Sequence, residues 1–391
     1  MRIVEVNGKE FQLIFHGSKK KILVSEKKTD KLSEAEVNII AKKKGYLAKS
    51  LVPDILTIFY IPSWQCNLNC AYCFEKTDCL LFETGFTYIQ WEDILKKQVQ
   101  SKHFVGINIV FFGGEPTLFL HECEEFYNGI VNLSGTLCVI SSIVTNAFEI
   151  SEDFKLFCEH CNVRNIQITI DPGEKYHNVF RITSKNEGTY FNIIDNTKKM
   201  IEWNLPVTIR TNINNDNIDG LYDLSDQLIQ MSQISTIYWS IAPILSTTKT
   251  NQDMLKVEIV SKVINDIMQK IENSNVQMVL WECSCDFYGN SLLVLSPDGK
   301  IYNCVNFCKH GVTKADIKTE TELEEKCQQC FWVHLCGGGC KYQNYLHNDS
   351  FKMSYCMKPV FESIVMPVIK SKIKGRLAFL EGNLKVFELE V

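Results

Sequence analysis

Between Ile55 and Pro243 the sequence sets down six short β-branched or aromatic runs: Ile55–Ile61, Ile107–Phe112, Leu137–Val144, Ile166–Ile170, Val207–Ile213 and Ile234–Ile241. Runs of this length and composition predict strands buried in a parallel sheet. Several of the spacers have helical period; in Thr189–Ile201, the clearest, Phe191, Ile194, Thr197 and Ile201 fall on one stripe. Such βα repeats connect right-handedly. The expected architecture is α/β, a partial (β/α)6 barrel or strongly curved sheet, with its functional loops after the strand C-termini.

Two further regions flank this core, which is expected over residues 55–275. Residues 1–54 form a small module in which Asn7-Gly8, between two extended runs, predicts a tight hairpin. A third strand near Lys21–Ser25 and a helix from about Ser33 to Lys43 give it a β-β-β-α order. After Pro243 a long amphipathic helix is expected at roughly Met254–Ile271, and then, over residues 276–391, a cysteine-dense region with a hairpin around Pro297-Asp298-Gly299. There is no internal repeat and no low-complexity linker.

At 391 residues and 45% hydrophobic content the chain can bury a large core, and its net charge of −5 gives no basic excess for nucleic acid or an anionic membrane. Small molecules, peptides or proteins remain as partners. The N-terminus lacks a basic-then-apolar signal, and no stretch approaches the ~20 apolar residues of a membrane span, so a cytoplasmic location away from membranes is expected. Seventeen cysteines are then a heavy load, because disulfides are disfavoured in a reducing compartment. Metal is the alternative use, and the cysteines fall into two spaced groups.

Directly after the first strand comes Cys66-Asn67-Leu68-Asn69-Cys70-Ala71-Tyr72-Cys73-Phe74, a C-x3-C-x2-C arrangement. Three thiolates suit a four-iron cluster with one open iron, whereas a structural zinc asks for four closed ligands. The arrangement resembles the motif of the radical SAM superfamily. That resemblance implies that Cys66, Cys70 and Cys73 hold a 4Fe–4S cluster whose open iron is chelated by S-adenosylmethionine, with Tyr72 against the adenine. It also implies the activity: reductive cleavage of that cofactor to a 5′-deoxyadenosyl radical, which takes hydrogen from an unactivated carbon.

Other strand ends carry related loops. Phe112-Gly113-Gly114-Glu115-Pro116 is similar to the family's Gly-Gly-Glu-Pro loop; the missing side chains let backbone approach a ligand, and Glu115 can bind an ammonium. Thr145-Asn146-Ala147 is similar to Thr-Asn-Gly, and Ala147 in place of Gly implies an ordinary backbone angle there. Thr169-Ile170-Asp171-Pro172-Gly173 is similar to Ser-Leu-Asp-Gly, with Thr169 keeping the hydroxyl. Arg210, in the fifth strand, could pair with the cofactor carboxylate. His177 and Arg181 resemble a His-Asp-x-x-Arg stretch with Asn178 replacing the acid; His177 itself reads as a surface or packing histidine. The expected cofactor-binding residues are therefore Tyr72, Gly113, Gly114, Glu115, Pro116, Thr145, Asn146, Thr169, Asp171 and Arg210. No catalytic residue is assigned.

The second group, Cys285-x13-Gly299-x4-Cys304 followed by Cys327-x2-Cys330-x5-Cys336-x3-Cys340-x15-Cys356, resembles the SPASM domain throughout. With Cys283 it offers eight ligands, enough for two four-cysteine clusters. The resemblance assigns Cys283, Cys285, Cys304 and Cys340 to a nearer cluster and Cys327, Cys330, Cys336 and Cys356 to a farther one. Cys283 stands closer to Cys285 than the pattern has it, so three cysteines and a free site are an alternative for the nearer cluster. A zinc ribbon at Cys327–Cys340 would use only four cysteines. Cys79, Cys123, Cys138, Cys158, Cys161 and Cys308 read as buried or inert thiols.

The resemblance as a whole implies three 4Fe–4S clusters, S-adenosylmethionine, a precursor peptide as substrate and a flavodoxin- or ferredoxin-type reductant. The N-terminal module resembles the precursor-peptide recognition domain of SPASM maturases; an ordinary cap on the barrel is the other reading. The expected function is crosslinking of a ribosomally made peptide, cysteine sulfur to carbon. One alternative is an anaerobic sulfatase-activating enzyme, which makes formylglycine; there an aspartate is expected after the hairpin cysteine, where Val305-Asn306 follows Cys304. Another is a non-catalytic electron carrier.

Overall fold

The computed structural model describes residues 2–15, 21–26, 55–75, 88–101, 104–245, 255–280, 287, 291–317, 323–351, 354–377 and 386–390. Strands β1 (Arg2–Val6), β2 (Lys9–Phe15) and β3 (Lys21–Glu26) make an antiparallel sheet. Asn7 and Gly8 turn the first hairpin at φ 50° and 71°, the doubly left-handed turn whose twist matches that of paired strands. The helix expected at 33–43 lies outside the described residues. A fourth strand comes from the other end of the chain: Val386–Glu390 pairs antiparallel with β3, Leu389 opposite Ile22.

The larger sheet follows the βα repeat. Strands β4 (Ile55–Tyr60), β5 (Gly106–Phe111), β6 (Cys138–Thr145), β7 (Val163–Thr169), β8 (Val207–Ile213) and β9 (Ile237–Pro243) pair in parallel, each with the next. Helices α1 (Tyr88–Ser101), α2 (Leu120–Ser134), α3 (Glu152–His160), α4 (Gly173–Phe180), α5 (Tyr190–Glu202) and α6 (Leu221–Met231) lie between them, and α7 (Val257–Lys270) follows β9. The sheet then runs on at both edges. β10 (Val276–Val279) joins β9 in parallel, and β11 (Leu292–Leu295) joins β4, followed by a short antiparallel β12 (Ile301–Tyr302). The Asp298-Gly299 turn links β11 to β12, so the hairpin of the cysteine-rich region is hydrogen-bonded onto the edge of the parallel sheet.

The strands alternate rather than being buried on both faces. In β8, Val207, Ile209, Thr211 and Ile213 are buried, while Thr208, Arg210 and Asn212 are only half-covered. The half-covered face carries polar contacts between strands, such as Thr208 Oγ1 donating to Asn165 Oδ1 at 2.6 Å. It faces the site, so it needs hydrogen-bonding groups rather than a dry packing surface. The stripe on α5 is shifted from the expected one: Tyr190, Ile193, Ile194, Thr197, Met200 and Ile201 are buried and Phe191 is 60% exposed. The helix buries the side centred on Ile193 and Thr197, and Phe191 stands one residue outside it. Among the described residues no helix is long and apolar enough to cross a membrane.

Candidate functional site

The Cys66–Cys73 loop leaves β4 and is tied to the chain after α4. Asn69 N donates to Ile182 O at 2.6 Å, Ala71 N to Phe180 O at 2.7 Å, and Leu68 bridges Thr183. The Gly-Gly loop after β5 holds it from the other side: Gly114 N donates to Ser63 O at 3.1 Å and Glu115 N to Gln65 O at 2.8 Å. A Cβ on Gly114 would stand 2.1 Å from Gln65 O, and one on Gly113, at φ 129°, would stand 2.6 Å from Ser63 O. Both glycines therefore admit the cysteine loop's backbone, a closer constraint than the ligand approach expected of them.

Glu115 is 1% exposed, and its carboxylate is a hub. Oε1 accepts from Thr117 N at 3.0 Å, Thr117 Oγ1 at 2.7 Å and Thr145 Oγ1 at 2.7 Å; Oε2 accepts from Asn146 N at 2.7 Å. Burial pushes its pKa up and these donors pull it back. Glu115 thus joins the loops after β5 and β6. From the second of these, Asn146 Nδ2 donates to Asn67 Oδ1 at 2.8 Å and lies 3.6 Å from Cys66 Sγ, which also receives Leu68 N at 3.4 Å. Ala147 corrects one expectation. Its φ is 57°, in the left-handed region, held there by Asn196 Nδ2 donating to the carbonyls of Ala147 and Phe148 at 3.0 and 2.8 Å.

These loops surround a cavity of about 370 Å³. Cys66, Cys70 and Cys73 line it, with Tyr72, Gly113, Gly114, Glu115, Thr145, Asn146, Thr169 and Arg210 from the expected set. Two expected residues are not in its wall. Pro116 is buried at the start of a short 3-10 turn that the Glu115 side chain caps. Asp171 is fully buried behind Tyr72, whose hydroxyl donates to it at 2.5 Å; it positions a lining residue from behind. His177 is buried as well and packs: Nδ1 accepts from Asp171 N at 3.2 Å and Nε2 lies 3.1 Å from Thr189 Oγ1.

Other lining residues were not in the expected set. Gln167 and Asn212 share strand faces with Thr169 and Arg210, a relation that period-two alternation contains. Arg181 lines the cavity and donates to Tyr72 Oη at 3.2 Å. Burial opposes its charge, but Tyr72, Cys70 and Asp171 keep its pKa raised. Glu75, two residues past Cys73, is held well above the usual carboxylate range by burial and then by Glu115. Asn306, Tyr342 and Gln343 of the cysteine-rich region form another part of the wall.

Three thiols in the wall of one cavity, Cys66, Cys70 and Cys73, fit a cluster held by three cysteines. Burial pushes Cys66 up to about 11 and Cys73 up to about 12, so binding iron releases their protons. Among the described residues no three ligating side chains converge as around a single ion; thiolates on separate irons of a cube stand farther apart than those on one zinc.

A second cavity, of about 610 Å³, is lined by all four of Cys327, Cys330, Cys336 and Cys356. Three glycines after Cys336, at φ 57°, 89° and 87°, end a short helix. A Cβ on Gly339 would lie 1.9 Å from Tyr355 O, so this glycine admits the segment that brings Cys356 in. Cys304 adjoins Cys340 and is pushed up to about 11 by burial and that neighbour. Cys79, Cys283 and Cys285 lie outside the described residues. Cys123, Cys158, Cys161 and Cys308 are buried thiols, whereas Cys138 is exposed.

Residues 60–229 match the family model described as the radical SAM superfamily. A cysteine-type anaerobic sulfatase-maturating enzyme of Clostridium novyi is 24% identical over 71% of this chain and 86% of its own. Among solved structures, native anSMEcpe with bound AdoMet and Kp18Cys peptide superposes with a TM-score of 0.62 at 18% identity, over 82% of this chain and 99% of that one. Streptococcus suis SuiB bound to precursor peptide SuiA gives 0.59 at 16% identity, over 85% and 83%. These structures share the fold. Residues 60–229 of this chain are a radical SAM domain.

Proposed function

We propose that the chain is a SPASM-type radical SAM enzyme that crosslinks a ribosomally made peptide by joining a cysteine sulfur to carbon, with loss of two hydrogens. Cys66, Cys70 and Cys73 hold the cleaving cluster; Tyr72, Glu115, Asn146, Thr169 and Arg210 surround the bound S-adenosylmethionine. When bound, that pair supplies the carbon radical that takes one substrate hydrogen. The second hydrogen has to leave as a proton and an electron, and an auxiliary cluster held by the cysteine-rich region would be the acceptor for that electron. Cys327, Cys330, Cys336 and Cys356 hold one such cluster, and Cys304 and Cys340 with Cys283 and Cys285 the other, giving three 4Fe–4S clusters. A flavodoxin- or ferredoxin-type protein reduces the enzyme. Residues 1–54 form the candidate peptide-docking module, 55–275 the core and 276–391 the cluster domain.

One observation favours crosslinking over formylglycine formation. Asn306 lines the cleaving cavity and directs its Nδ2 at Cys304 Sγ, 3.6 Å away. A neutral amide cannot take the proton that an aspartate base near this place would accept. The sulfatase-maturating relative and the AdoMet- and peptide-bound neighbour keep that second reading open to test. Incubation with a candidate peptide, reductant and S-adenosylmethionine, followed by mass spectrometry, separates them. Thioether formation removes two hydrogens and leaves a cysteine that no longer alkylates; a two-hydrogen loss with the thiol still alkylatable indicates a carbon–carbon bond. Formylglycine in a sulfatase peptide supports the second reading.

A further inference from the structure

The cavity of Cys327, Cys330, Cys336 and Cys356 has a wall residue from the opposite end of the chain, Arg2 of β1. Its guanidinium is fixed in place. Nη1 donates to Glu362 Oε1 at 2.5 Å, and the same oxygen accepts from Trp332 Nε1 at 2.8 Å. The guanidinium carbon lies 5.7 Å from the Trp332 ring centre and 5.8 Å from that of Phe331, within cation–π range. Those two rings directly follow Cys330. Trp332 is 1% exposed and stacks on Phe361 with centroids 5.1 Å apart. β2 adds Phe15, 4.8 Å from Phe331. The N-terminal sheet is thus packed against the segment that carries three of the four cysteines, Cys327, Cys330 and Cys336.

The other cations in this wall are placed differently. Lys326 pairs with Glu324, and its side chain is 62% exposed; Lys358 is exposed. Water screens both. Arg2, 33% exposed along its side chain, is anchored by a carboxylate and two rings.

We propose that Arg2 is a positioning residue for the redox state of the group held by these four cysteines: the N-terminal sheet, through Arg2 fixed on Glu362, sets that cluster's reduction potential. This inference rests on the reading that the four cysteines bind a cluster. Four thiolates around an iron–sulfur core make a net anion, and one-electron reduction adds a further negative charge. Potentials of such groups follow net charge, hydrogen bonding and solvent exposure. A fixed cation in the wall favours the reduced form, and a fixed anion disfavours it.

The test is an anaerobic titration of reconstituted full-length holoenzyme with dithionite, followed by electron paramagnetic resonance. The signal missing from Cys327→Ala belongs to this cluster. Arg2→Gln is expected to move its midpoint to more negative potential, Arg2→Lys to keep it near the wild-type value, and Glu362→Gln to move it to more positive potential. A purely structural role predicts loss of iron with no shift in the clusters that remain, or shifts of one sign in both neutral variants. Either result overturns the proposal, as does an unchanged midpoint in Arg2→Gln. Equal iron content in wild type and Cys327→Ala shows instead that the cluster reading beneath it has failed.

Discussion

The Tyr72 hydroxyl donates to the Asp171 carboxylate across 99 residues of sequence, and Arg181 donates to the same hydroxyl from the other side. Tyr72 and Arg181 line the cavity of Cys66, Cys70 and Cys73, and Asp171 does not. A carboxylate behind the wall thereby orients two groups in it. Asp171→Ala leaves the Tyr72 hydroxyl and the backbone N–H of Asn212 without their acceptor, at about 1–3 kcal/mol of stability. Asp171→Asn keeps an acceptor but not the charge that faces Arg181. Chemical denaturation should rank wild type above Asp171→Asn and Asp171→Ala lowest; equal stability of all three contradicts a supporting role.

Ala147 supplies a backbone test. An L-residue in the left-handed region costs about 1–2 kcal/mol, while its buried methyl contributes about 0.8 kcal/mol and glycine loosens the unfolded chain by about 0.4–1 kcal/mol. These terms nearly cancel, so Ala147→Gly should change stability by less than about 1 kcal/mol. Ala242 is also fully buried, but in strand β9. Ala242→Gly relieves no strain and should cost more. A greater loss in Ala147→Gly than in Ala242→Gly contradicts the assignment of strain.

His177 gives a pH signature. Burial, and then Arg181, hold its pKa well below 6.5 in the folded chain, whereas the unfolded chain titrates near that ordinary value. Below it the unfolded state binds the extra proton, so this contribution to stability is complete above about pH 6.5 and is lost as pH falls, by at most about 1.4 kcal/mol per unit. Thermal unfolding from pH 7 to pH 5 should fall more steeply for wild type than for His177→Gln. Parallel curves contradict a buried neutral histidine.

Much of this architecture is legible in the residues. Six hydrophobic runs mark β4 to β9, and the loops at their C-terminal ends mark the cavity, because strand period and turn chemistry are local properties. The pairing of Val386–Glu390 with β3 and of β11 with β4 is not legible, since nothing local specifies which edge a distant strand will join. For the same reason Arg2 cannot be placed in the wall of the cavity that Cys327 lines from sequence. Asp171 and Pro116 match their motifs, yet a motif does not tell a side chain in a wall from one behind it. Ala147 shows the reverse: hydrogen bonds from Asn196, far along the chain, hold an angle that residue type alone argues against.

On the proposed function, Cys66, Cys70 and Cys73 form the site that cleaves S-adenosylmethionine. The most direct test of this assignment is chromatographic measurement of 5′-deoxyadenosine from anaerobically reconstituted protein under strong reductant, in wild type and in the Cys66→Ala, Cys70→Ala, Cys73→Ala triple variant. Wild type is expected to form 5′-deoxyadenosine and the variant none, with about eight of about twelve irons still expected in the variant if both auxiliary clusters are filled. Formation of 5′-deoxyadenosine by the triple variant, or none by iron-loaded wild type, would contradict the assignment.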